Sequence, residues 1–294
     1  MKSSTMVRQA QRQPIDWGQR IRSRLWSWLS LLLLCIMSVI MLAPIVWTFS
    51  TSLREPVGSF SVPPRWIPIP PVVTNYREVF SSVPGGTYVL NSVIVTFATV
   101  AGQLFTAALA GYAFARFQFP LKNVLFWLIL ATLMIPAQAT IIPVFILISR
   151  LGLTDNLMSL ILPSWATAFG TFLLRQYFMT ISNEFEEAAL MDGASQWRIY
   201  WSVYLPLVAP GLAILAILSF NSTWNEFFRP LIFLNSPEHF TLPLGLVNLA
   251  GYMGTGSISV VLAGVILSLI PVLIIFLFGQ RYLIEGITMG GVKG

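Results

Sequence analysis

Charge is scarce in this chain. Of 294 residues only 10% are charged, against about a quarter in a soluble domain. Hydrophobic residues make up 56%, and mean hydropathy is +0.76. A soluble fold of this length has no way to bury that much apolar surface, so lipid is the expected solvent. Cysteine and histidine are scarcer still: Cys35 and His239 stand alone. That excludes an internal disulfide, a His-rich metal site and a Cys/His dyad within the chain. Cys35 lies in an apolar run and reads as a small packing residue. The G-x-x-x-x-G-K-[ST] loop that cradles nucleotide phosphates is missing, so ATP hydrolysis by that route is excluded. No catalytic residue and no metal ligand is assigned.

Long apolar runs are abundant. About 20 apolar residues cross a bilayer as a helix. Six helices are expected at 26–50, 89–112, 124–148, 157–175, 207–234 and 258–279. The runs are continuous and lack period-two alternation, which favours helices over strands. The fourth run is diluted by Ser164, Thr167 and Gly170, and the fifth ends in a polar cluster. The first run is too long for the core of a cleavable signal, about 7–15 residues, so a retained anchor is expected. The fold class is all-α integral membrane.

Basic residues set the orientation. With the N-terminus inside, the cytoplasmic segments hold 12 of the 17 Lys and Arg, among them Lys2, Arg116, Lys122, Arg175 and Arg198. Arg54, Arg65, Arg77, Arg150 and Arg229 fall outside. This is the positive-inside bias, and it makes both termini cytoplasmic. The net charge of +6 implies no nucleic-acid partner. The arm 1–25, with Trp17 and Ile21, suits anionic lipid instead. Residues 26–294 form the membrane domain. It has an outer loop at 51–88, a cytoplasmic loop at 176–206 and a cytoplasmic tail at 280–294. The outer loop holds seven prolines, which enforce a stiff path; Asn75–Phe80 suits a short helix within it. Pro136 and Pro143 predict kinks in the third run.

The cytoplasmic loop carries the sharpest local signal. Asn183 can cap a helix, with Glu186 three residues on as in a capping box. Glu184, Glu186 and Glu187 complement the helix dipole. Ala188 and Ala189 leave one face flat, open to close approach by another surface. Gly193 suits a left-handed residue that ends the helix. A second helix then runs from about Ala194 to Tyr204, and Pro206 opens the next span. The residues alone fit a solvated, well-capped surface helix equally well.

The spacing goes further. Glu187-Ala188-Ala189, Gly193, Val203, Leu205 and Pro206 together resemble the cytoplasmic signature of ABC importer permeases, with Val203 where the family more often has Ile. The resemblance runs along nearly the whole chain. It takes in Asn91-Ser92, Gly111-Tyr112-Ala113-Phe114-Ala115-Arg116, Ile135-Pro136, Ile142-Pro143, Trp224-Asn225, Pro230 and the tail Gln280-Arg281-Tyr282. The tail ends Gly290-Gly291-Val292-Lys293-Gly294, with Gly291 where the family usually has Ala. The likeness is to the sugar-uptake branch, and to the second permease of maltose-type transporters.

That resemblance implies a function. The loop would carry a coupling helix docking in a cleft of an ATPase subunit, with Glu186, Glu187, Ala188, Ala189, Asp192, Gly193, Leu205 and Pro206 as coupling residues. Glu187 would pair with a basic group there, and the tail Gly290–Gly294 would also touch the ATPase. The partners implied are a second permease subunit, two ATPase subunits binding ATP-Mg, and an extracytoplasmic solute-binding protein. This chain would bind no cofactor. The setting is a bacterial inner membrane, and the solute a sugar, oligosaccharide, glycoside or polyol, or a glycerol phosphate.

Polar groups at membrane depth face a bundle interior or a cavity. Asn221, Trp224, Asn225 and Glu226, with Gln138, are candidates for a solute path. Amides suit hydroxyls, and an indole offers a flat apolar face. Helix–helix adhesion, with Trp224 as an interfacial anchor, is the alternative. Glu226 and Arg229, three apart, can pair on one helix face. An ion-coupled carrier would need embedded ionisable residues, which the clear spans nearly lack. A lipid-modifying enzyme would need a convergent acid, base or metal set.

Overall fold

The computed structural model describes residues 17–55, 66–251 and 256–291. The basic arm before Trp17, Arg65, the Pro63-Pro64 pair and Val292, Lys293 and Gly294 lie outside them. The chain divides into two units, 1–50 and 51–294.

The first unit is carried by helix α1, Trp17–Ser52. Its apolar stretch, Leu25–Ser52, is exposed at each residue from Leu25 to Leu42, as expected of side chains whose solvent is lipid. Its polar residues turn back on the helix. Ser38 donates to the Leu34 carbonyl and Thr48 to that of Pro44, both at 2.8 Å, which satisfies hydroxyls that lipid cannot.

The second unit is all-helical among its described residues. After the short helix α2 (Thr74–Ser81) comes α3, Gly85–Arg116, a long helix packed along the unit. Gly111 lets α3 approach α7 (Ala168–Thr180) closely: a Cβ there would lie 2.9 Å from the Arg175 backbone nitrogen. Ala107, Ala108, Tyr112, Leu174 and Phe178 bury together at that crossing, small residues admitting close helix contact. Helix α10 (Ala209–Trp224), the short α12 (Leu242–Leu249) and the long α13 (Ile258–Gly291) complete the bundle.

Three expected spans are not continuous helices. The third run breaks into α4 (Lys122–Thr132) and α5 (Ala137–Arg150), bent by 101°. Pro136 stands extended at the break, so it stops the helix and does not merely kink it. The fourth is α6 (Met158–Ile161), a 3-10 turn (Leu162–Ser164), then α7. Thr167 is extended and caps α7, its hydroxyl accepting the Gly170 N–H at 3.1 Å. The fifth run ends α10 at Trp224 and restarts as α11, Phe228–Phe233. Among the described residues three helices can cross a membrane, or up to five spans if each bent pair is one. The six expected spans are therefore not six continuous helices.

The two ends of α3 define two polar surfaces. At its start Asn91 donates to the carbonyls of Glu238 (2.8 Å) and Phe240 (3.0 Å), and Ser92 accepts the Leu242 N–H at 2.7 Å. At its end stands Arg116. By helical rise these are about 37 Å apart, more than the apolar core of a bilayer.

Candidate functional site

The site is built around the end of α3. The Arg116 guanidinium donates to the carbonyls of Phe178 (2.7 Å) and Ile181 (2.6 Å) and to Asn183 Oδ1, and lies 4.6 Å above the Tyr204 ring. One cation thus holds the last turn of α7, the entry to the next helix and the tyrosine beneath it. Tyr112, one turn earlier, packs on Phe178, Tyr200 and Tyr204 and donates to Gln196 Oε1 at 3.3 Å.

Helix α8, Glu184–Met191, projects from this platform. The expected capping box does not form. Asn183 has helical dihedrals and makes no side-chain cap, because Arg116 takes its side-chain oxygen. Glu186 is likewise drawn off, to the Tyr204 hydroxyl, which donates to its carboxylate at 2.7 Å. Ser182 supplies the local cap, accepting the Glu184 N–H at 3.3 Å. The C-terminal expectation holds. Gly193 has φ +74°, with Gly193 N–H to Leu190 carbonyl and Ala194 N–H to Ala189 carbonyl, both 3.0 Å. That is the paired closure of a Schellman motif.

The second helix of the loop, α9, spans Gln196–Leu207. Ser195 starts it, accepting the Arg198 N–H at 3.4 Å. A π-helical turn, Tyr200–Tyr204, buries both of its tyrosines. Pro206 does not open the membrane helix. It lies in the last turn of α9, and α10 starts after a 72° bend with Pro210 in its first turn.

No residue of α8 is buried. Glu187, Ala188 and Asp192 are exposed, as are Phe185, Leu190 and Met191, the last at 88%. Trp197 and Trp201 on α9 add to that apolar surface. Eight residues do not hold a helix alone in water; α8 is kept by its ends while its body stays bare.

The polar cluster at the far end of α10 is dispersed. Trp224 is 2% exposed, stacks on Phe220 and donates to the Ser268 carbonyl at 3.0 Å, so its indole joins α10 to α13. Asn225 turns back on Asn221, donating to its carbonyl at 2.8 Å; both amides are exposed, as is Gln138. Glu226 pairs with Arg229, which also donates to Ser164 Oγ at 2.6 Å. Gln103 extends this network, donating to the Ser164 carbonyl (2.8 Å) and accepting from Ser219 (2.6 Å). Among the described residues no group of three or more His, Cys, Asp or Glu could hold a metal ion.

Comparison with known proteins decides the assignment. Residues 103–288 match the family described as binding-protein-dependent transport system inner membrane component. The chain belongs to this family. The arabinooligosaccharides transport system permease AraQ of Halalkalibacterium halodurans is 38% identical over 208 residues, 71% of this chain and 74% of that protein. The sn-glycerol-3-phosphate transport system permease UgpE of Yersinia pestis is 34% identical over 264 residues, 87% and 94% of the two chains. A solved structure of a bacterial ABC transporter involved in import of the acidic polysaccharide alginate matches with TM-score 0.78 and 29% identity. It covers 89% of this chain and 97% of that one. The protein is a membrane-spanning permease subunit and not an enzyme.

Within this family reading, Arg116 is the residue whose part the sequence did not reveal. Its motif, Gly111 to Arg116, was visible. That its guanidinium collects the entry to α8 depends on the α3–α7 crossing, which no local pattern encodes.

Proposed function

We propose that this chain is one of two permease subunits of an ATP-driven importer, paired with a second permease and served by two ATPase subunits and an outer solute-binding protein. The exposed helix α8 carries the reading. A capped helix with three acids in its first turn, no buried residue and an apolar margin of Phe185, Leu190 and Met191 is shaped to enter a cleft. Glu187 meets a basic group of the ATPase, and Ala188 allows close approach. ATP-Mg belongs to that partner. The tail Gly290–Gly294 adds a second ATPase contact. The α8 side faces the cytoplasm of a bacterial inner membrane, and the outer protein docks at the Asn91 end.

The solute is a sugar, oligosaccharide, glycoside or polyol, or a glycerol phosphate, as the names of the relatives AraQ and UgpE support. Closure of the ATPase dimer pulls on α8. Arg116 and Tyr204 pass that motion to α3, α7 and α9, and access alternates. Asn221, Asn225, Glu226 and Gln138 face the path, while Trp224 shapes it through packing. Glu187→Lys in proteoliposomes holding the complete transporter tests the coupling. Solute uptake should fall at least tenfold with membrane insertion unchanged. Wild-type uptake would sink the assignment.

A further inference from the structure

Residues 117–121 turn the chain from α3 into α4 and leave a hollow of about 520 Å3 beside them. Lys122 and Arg175 both line it, and none of its lining residues is acidic. Lys122 Nζ donates to the Phe117 carbonyl at 2.7 Å. Arg175 Nε donates to the Phe114 carbonyl at 3.1 Å, and its guanidinium carbon lies 4.2 Å over the Phe126 ring. Among the described residues neither cation pairs with a carboxylate. Lys122 also occupies the first turn of α4, where no acidic residue offsets the helix dipole. Two half-buried cations and a helix N-terminus therefore share one hollow with no negative charge, which is costly unless an anion enters.

The surroundings indicate the anion's form. Leu121 and Val124 line the hollow, and Leu125, Trp127 and Leu128 continue an exposed apolar surface along α4. Gln118 and Asn123 add amides at the rim. Charge thus meets an unbroken apolar wall, the profile of a headgroup above its acyl chains and not of a site closed by water on all sides. Basic pockets between membrane helices take anionic headgroups in this way.

We propose that this hollow binds the phosphodiester headgroup of an anionic phospholipid in the leaflet on the α8 side, with Lys122 and Arg175 on the phosphate and Leu121, Val124 and Met179 against the upper acyl chains. Arg175 and Met179 belong to the end of α7, which leads directly into α8, so an occupied hollow steadies the helix that carries the exposed one.

The test uses the assembled transporter in nanodiscs of phosphatidylcholine, alone or in equal parts with phosphatidylglycerol. Native mass spectrometry after detergent extraction should show retained phosphatidylglycerol. Lys122→Gln/Arg175→Gln should lower its affinity about 30-fold, roughly fivefold per charge. Arg150→Gln, at the opposite end of the bundle, should leave it unchanged. Equal retention by the double variant overturns the proposal. A measurement on the wild type stands apart from any folding defect: phosphatidylglycerol should shield the Lys122 amine from an amine-reactive label, and phosphatidylcholine alone should not. Equal shielding by inorganic phosphate in phosphatidylcholine discs would assign the hollow to a soluble anion and overturn the lipid. Shielding in those discs only when the ATPase is bound would assign it to a partner's acid, with the same consequence.

Discussion

The Tyr204 hydroxyl donates to the Glu186 carboxylate at 2.7 Å, joining the first turn of α8 to the buried π-helical turn of α9. A hydrogen bond to a charged acceptor contributes about 1.5–3 kcal/mol when buried. Glu186 is only half-buried, so about 1 kcal/mol is the better figure. Tyr204→Phe keeps the ring packed between Phe178 and Arg116 and removes only the bond. Amide exchange over 184–194 should rise about fivefold, and solute moved per ATP hydrolysed should fall. Unchanged exchange would show that α8 is held by its termini alone.

Arg116 makes a stronger demand. Its fork reaches two carbonyls and one amide oxygen while its plane lies over Tyr204. Lysine supplies charge but neither the fork nor the stacking plane. Arg116→Lys should lower stability by about 2 kcal/mol, read as a lower melting temperature in detergent. It should also raise protease sensitivity after Phe178. A variant that melts with the wild type would mean the carbonyls are satisfied some other way.

What the sequence revealed, and what it concealed, divides along local and non-local physics. Gly193 was legible because a helix that must stop needs a residue tolerant of positive φ, and its neighbours advertise the helix. The apolar runs were legible because lipid demands length. Pro136 marked the place of a kink in the third run, but neither the 101° size of that break nor the interruption at Trp165–Thr167 was legible, since composition registers hydrophobicity and not direction. Asn183 and Glu186 fit a capping box by spacing, yet both side chains are claimed by residues from other helices, Arg116 and Tyr204. A motif read along the chain cannot foresee a competitor that arrives across it. Trp224 shows the same limit, since path and helix–helix adhesion both fitted its sequence. Its polar neighbours suggested a path, while the bundle gave its N–H the Ser268 carbonyl.

Gly111 tests the α3–α7 crossing. A methyl group there would meet the Arg175 nitrogen at 2.9 Å, Leu174 Cβ at 3.0 Å and the Leu174 carbonyl carbon at 3.1 Å. Two of those neighbours are backbone and cannot rotate away. Gly111→Ala should therefore cost about 1–3 kcal/mol by overpacking and displace Arg175 from Phe126. Adding Leu174→Ala relieves none of these contacts, because alanine keeps its Cβ and the other two are backbone, so the pair should not recover wild-type melting in detergent. Full recovery would place the strain in the side chain.

At the other end of the bundle Asp155 fastens two loops. It adopts φ +54°, a conformation that Asp and Asn tolerate better than most residues. Its carboxylate accepts the N–H groups of Asn235 (2.8 Å) and Ser236 (2.9 Å) and the Ser236 hydroxyl (2.5 Å). The Ser236 hydroxyl first, then the two backbone amides, hold its carboxyl well below the usual carboxylate range. Freed of those donors, the group would titrate near about 4. A folded value depressed in this way adds stability that is complete above the unfolded value and lost as pH falls toward the folded one. Between pH 7 and 5 the carboxylate should thus stay charged, and amide protection at 151–157 and 234–239, taken relative to intrinsic exchange at each pH, should not fall. Below about pH 4 that protection should drop. Asp155→Asn keeps the backbone conformation and an acceptor but carries no charge, so its protection should be lower at neutral pH and should not drop further below about pH 4. The two proteins should converge at low pH. A difference that persists undiminished as the carboxyl protonates would place the work of Asp155 in its backbone conformation and not in its charge.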